Sequence, residues 1–131
     1  MEDWKEETVA ELEDARRRIE AAIESIEGEP TREEVHSVWR AYVSVELCVA
    51  YVKLEIDDEN PGRFISPRPY KVPDERQALQ FALRNLAKGE ESFRVGDFGQ
   101  ALKDLREARN YLRVLLKELY SRQRRARRGQ T

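Results

Sequence analysis

The feature that most constrains this chain is the spacing of its apolar residues towards the C-terminal end. Phe98, Ala101, Leu105, Ala108, Leu112, Leu115 and Leu119 follow one another at intervals of three and four residues without a break. On an α-helix those positions form one narrow stripe, and such a stripe is buried only by packing lengthwise on a neighbour. The same spacing recurs over roughly residues 3–27, through Thr8, Leu12, Ala15, Ile19, Ala22 and Ile26. It appears again over 74–94, through Leu79, Ala82, Leu86, Gly89 and Phe93. Three such seams in 131 residues, a length suited to a single core, predict an all-α fold. The expected architecture is an antiparallel four-helix bundle with coiled-coil-like heptad packing.

The remaining helix, about 32–57, differs in kind. Val38, Tyr42, Val45, Val49, Val52 and Ile56 form one apolar face, and Trp39, Val43, Leu47, Ala50 and Leu54 form another. A helix apolar on two faces needs cover on both, so it is central or lies in an oligomer interface. Val38, Tyr42, Val45, Val49 and Val52 are the expected interface residues, in a homo-oligomer with a dimer favoured. Local punctuation supports the helix boundaries. Gly28 suits a C-terminal cap, Thr31-x-x-Glu34 is a capping box, and Asn60-Pro61-Gly62 marks a turn. Pro73 and Asp74 open the third helix; Gly96 closes it, and Asp97 with Gln100 opens the fourth. Gly89 within the third seam implies close approach of a neighbouring backbone, because glycine otherwise costs a helix about 1 kcal/mol relative to alanine.

Charge is unevenly distributed. The chain carries 24 Lys and Arg against 26 Asp and Glu, yet residues 1–29 sum to −7 and the last eleven, SRQRRARRGQT, to +5. Residues 1–120 are expected to form one domain, with a fourth helix over 97–120 and a mobile basic tail over 121–131. Arg outnumbers Lys 18 to 6, and Asn and Gln total only 8, a bias of the kind found in thermophilic proteins. No run approaches 18 apolar residues, which argues against a membrane protein. The opening MEDWKEE lacks the layout of a secretory signal, so the expected location is the cytoplasm. A single cysteine, Cys48, excludes a disulfide framework within one chain and is read as a small core residue.

The segment LAKGEESFRVGDFGQALKDLREA, residues 86–108, resembles one tetratricopeptide unit. Gly96-Asp97-Phe98 sits at the turn, with Ala101, Leu105 and Ala108 at the packing positions of its second helix. It is also similar to the hairpin of an archaeal family of small uncharacterised helical proteins. The resemblance covers under a fifth of the chain and implies a capped helical hairpin. No copy follows at a 34-residue period, so a peptide-binding solenoid is not expected.

Candidate chemistry is concentrated in the bases. Arg106, Arg109, Arg113, Lys117 and Arg124 share one side of the fourth helix and run into Arg122, Arg125, Arg127 and Arg128. Such a ridge neutralises phosphates, with affinity that falls steeply in salt. Arg63, Arg68 and Lys71 add a basic loop interleaved with Phe64 and Tyr70, the mixture that combines base stacking with backbone contacts. Competing with this are dipole compensation at a helix C-terminus and pairing with the acidic first helix.

Other motifs are weaker. Glu33-x-x-His36 resembles half of the carboxylate-histidine pattern of ferritin-like di-iron bundles, and the chain has no second histidine. Glu24-x-x-Glu27 and Glu55-x-x-Asp58 resemble the magnesium-binding pattern of all-α nucleotide pyrophosphohydrolases. An antiparallel hairpin sets those two motifs on the order of 35 Å apart. Glu46 interrupts an apolar run near Lys53 and is expected to be paired and buried. With no Gly-rich phosphate loop after a strand and one histidine, the chain offers no common hydrolase or kinase machinery.

The leading expectation is a non-enzymatic interaction or assembly module that self-associates and contacts RNA or DNA, with no catalytic residue, metal or cofactor. The alternatives are a metal-dependent all-α nucleotide hydrolase using acidic helix faces, and a protein-protein adaptor without nucleic acid.

Overall fold

The structure, a computed structural model, describes residues 3–56 and 74–129. They form four helices and no strand: α1 Asp3–Ser25, α2 Arg32–Ile56, α3 Glu75–Arg94 and α4 Phe98–Arg128. The helix boundaries follow from local hydrogen bonding. At α2 the capping box closes reciprocally, with the Glu34 amide donating to Thr31 Oγ1 at 3.1 Å and the Thr31 amide to Glu34 Oε1 at 2.8 Å. Asp74 and Asp97 cap α3 and α4 by accepting from the amides of Gln77 and Gln100. Between α3 and α4, Gly96 takes φ +86, and the Gly96 and Asp97 amides donate to Phe93 O and Ser92 O. That pair of bonds is a Schellman turn, and a left-handed residue is what it requires.

The helices form an all-α four-helix bundle in which α1 packs on α2 and α3, and α4 packs on α2 and α3. Side-chain contacts fix the directions. Cys48 of α2 reaches Thr8 of α1, so α2 runs back along α1. Arg76, at the start of α3, reaches Ile23 and Ile26 at the end of α1, so α3 also opposes α1. Arg109 of α4 meets Glu46 of α2, and Arg122 reaches Gly28. The order is therefore up, down, down, up. All four neighbouring pairs are antiparallel, while α2 and α3, on a diagonal, run the same way.

The heptad positions fill the core as their spacing predicts. Leu12, Ile19, Leu79, Leu86, Leu105, Leu112, Leu115 and Leu119 are at most 1% exposed. Thr8, the polar member of its stripe, is buried with its hydroxyl donating to Trp4 O at 2.7 Å. Trp4 closes that end of the core edge-on to Phe93 and Phe98. Gly89 lies against α4, where an added methyl would stand 2.8 Å from Leu105 Cδ2 and 3.5 Å from Ala101 O. The close approach is chiefly to a side chain rather than to backbone.

Two expectations are corrected. Helix α4 continues to Arg128, eight residues beyond the expected end at 120, because 121–128 holds strong helix formers and neither Gly nor Pro. On α2, Val38, Val45, Val49 and Val52 are at most 5% exposed within the single chain. The face taken for an oligomer interface is the core face, and only Tyr42 of that set reaches the surface. The second apolar face is the outward one, with Trp39, Leu47 and Leu54 exposed at 39%, 37% and 80%.

Candidate nucleic-acid interface

The basic residues of α4 separate into two groups. Arg106 is only 5% exposed and so is no part of a solvent-facing ridge. Arg109 Nη1 lies 3.2 Å from Glu46 Oε1, and the same guanidinium donates to Asn110 Oδ1 at 3.3 and 3.4 Å. Arg122 pairs with Glu75 of α3 and donates to Gly28 O, so it ties helix ends together. Arg125 bridges to Glu118 at 3.4 Å on its own helix.

The second group faces solvent. Arg113, Lys117, Arg124 and Arg127 are exposed and make no ion pair among the described residues. Arg128 is exposed at the helix end. The loop bases Arg63, Arg68 and Lys71, with Phe64 and Tyr70, lie outside the described residues, as does Asp58. The sequence pattern sets Arg106, Arg109, Arg113, Lys117 and Arg124 on one side of a wheel. Burial and pairing depend on which helix that side meets, and the wheel does not contain this.

Pairing with the acidic first helix does not absorb the group. Glu13 of α1 meets Arg94 of α3, while Asp14 and Glu20 meet Arg18 and Arg16 on α1 itself. Among the described residues no α1 carboxylate pairs with an α4 cation. The physical reason is topological, since α1 and α4 lie across the bundle diagonal.

The neighbouring surface of α2 carries aromatic rings. The Glu46–Arg109 bridge fixes the antiparallel register, which brings Trp39 level with Leu116 and Tyr120 level with Val35. Trp39 is 39% and Tyr120 42% exposed, and His36 stacks on Trp39 at 6.0 Å between centroids. Tyr120, Gln123, Arg124 and Arg127 line a cleft of about 440 Å³. Tyr42 donates its hydroxyl to Glu46 at 3.4 Å, and burial, followed by the Glu46 charge, pushes its pKa up.

Glu46 is thus paired, as expected, although its partners are Arg109 and Tyr42 rather than Lys53, and its side chain is 41% exposed rather than buried. Burial, with a smaller effect from Glu11, pushes the Cys48 thiol up to about 12, which leaves it protonated and a poor nucleophile. His36 is exposed against Trp39. Among the described residues no three His, Cys, Asp or Glu side chains converge as a metal site. Glu24 and Glu27 sit at one end of the α1–α2 pair and Glu55 at the other. No described helix is long and apolar enough to cross a membrane.

Comparison of the chain with protein-family models, with characterised proteins and with solved structures finds no match in any of the three.

Proposed function

We propose that this protein is a non-enzymatic interaction module that contacts a polyanion, RNA or DNA, through the C-terminal half of α4. The observation that carries this reading is the row Arg113, Lys117, Arg124 and Arg127, exposed and without ion-pair partners among the described residues. Cations placed for intramolecular stability are spent on carboxylates or carbonyls, as Arg109 and Arg122 are. These four lie along about four turns of one helix, a rigid spacing suited to a phosphate backbone.

Replacing Arg113, Lys117, Arg124 and Arg127 with Gln tests it by electrophoretic mobility with a labelled oligonucleotide. Wild-type binding is expected to weaken linearly in the logarithm of salt concentration, and the quadruple variant to lose most of both affinity and salt slope. Equal binding by the two proteins at low salt would sink the proposal.

A second reading, self-association, is favoured by the lower part of the outward α2 face, where Leu47 and Leu54 stand exposed beside Ala50. It expects a dimer in light scattering that Leu54→Glu dissociates; a monomer at millimolar concentration would remove it.

A further inference from the structure

We infer that the α2–α4 face takes single-stranded nucleic acid, its bases stacking on Trp39 and Tyr120 while its phosphates follow α4. This rests on the polyanion reading above and specifies the ligand. The distribution of aromatic residues carries the step. Most aromatic rings of the described residues are packed against others: Trp4 with Phe93 and Phe98, and Phe81 with Tyr111. The two most exposed, Trp39 and Tyr120, both lie on the end of the α2–α4 pair that bears the free cations. Their levels along the pair differ by four residues, about 6 Å of helix rise.

Several details suit a stacking platform. His36 stacks beside Trp39, with 29° between ring planes and 6.0 Å between centroids. Arg113 stands near Tyr42 on the α2 side of α4, where its positive charge is felt by the phenol. Arg124 and Arg127 flank Tyr120 in its cleft. A duplex keeps the faces of its bases within its own stack, so it would engage the cations and leave both rings idle. An unpaired strand offers phosphates and ring faces together, and every base has a face to offer.

The experiment is tryptophan fluorescence with a 20-nucleotide oligouridine, an oligothymidine of the same length, and a duplex. Trp4 is packed at the far end of the bundle, so a change reports Trp39. Single strands are expected to quench the emission and the duplex to leave it unchanged. Trp39→Ala and Tyr120→Ala should each weaken single-strand binding about tenfold and leave duplex binding unaltered. Trp39→Phe keeps a ring, and should keep affinity while losing the fluorescence response.

Binding of single strands without quenching, or equal losses for strand and duplex in Trp39→Ala, would overturn this inference and leave the polyanion reading standing. Absence of binding by every oligonucleotide would overturn both.

Discussion

At Gly89 the choice between hydrogen and methyl sets how closely α3 approaches α4. Helix propensity alone favours alanine by about 1 kcal/mol. The methyl would meet Leu105, which has no exposure, and overpacking of that kind costs about 1–3 kcal/mol. Gly89→Ala should therefore destabilise by about 1 kcal/mol in urea unfolding, and should become stabilising in a Leu105→Ala background. Cys48 gives a pH prediction with a definite sign. Its folded pKa of about 12 stands above the ordinary 9.0, so below pH 9 both states hold the proton and stability is independent of it. Above that, the unfolded chain ionises first and stability falls, by up to about 1.4 kcal/mol per pH unit. The fall in denaturant midpoint between pH 8 and 10 should shrink in Cys48→Ala, the remainder including Tyr42, whose pKa is also raised, and an unchanged fall in that variant would refute the assignment. Gly89 was legible as a tight contact from its place in a seam. The burial of Arg106 was not, because nothing in its helical position says what covers it.

Among the elements, α1 is ended partly by its own sequence, where Gly28 turns the chain in the left-handed region at φ +66, and partly from outside. Its last turn has no basic residue, and its terminal carbonyls are met from other helices, Arg76 donating to Ile23 O at 3.2 Å and Ile26 O at 2.9 Å. Arg76→Ala should cost about 1–2 kcal/mol in thermal or urea unfolding, whereas Arg127→Ala, the same change of charge, should cost nothing measurable. Caps such as Thr31, Asp74, Gly96 and Asp97 were readable because each acts within a few residues of itself. The end of α4 was misjudged because SRQRRARR is polar all round, and polarity resembles a tail although arginine favours helix. On α2 the two apolar faces were equally eligible. The valine face turned inward, and only the positions of α1 and α4 settle that.

For the molecule as a whole, the three seams and the apolar run of α2 specify four helices packed side by side, but the seams alone say nothing of direction, since a heptad stripe reads alike in a parallel or an antiparallel neighbour. The shared direction of α2 and α3 comes from contacts such as Arg76 with Ile23, which link residues 53 positions apart. One consequence concerns assembly in time. Each hairpin, α1–α2 and α3–α4, is held by contacts of short sequence separation, whereas joining them closes a long loop, the slower event. If the chain is severed between Pro73 and Asp74, the two halves should still recombine into the helical bundle on mixing. Stopped-flow recovery of ellipticity would then accelerate with fragment concentration, and a rate independent of dilution would show that the hairpins are not the units from which the molecule is put together.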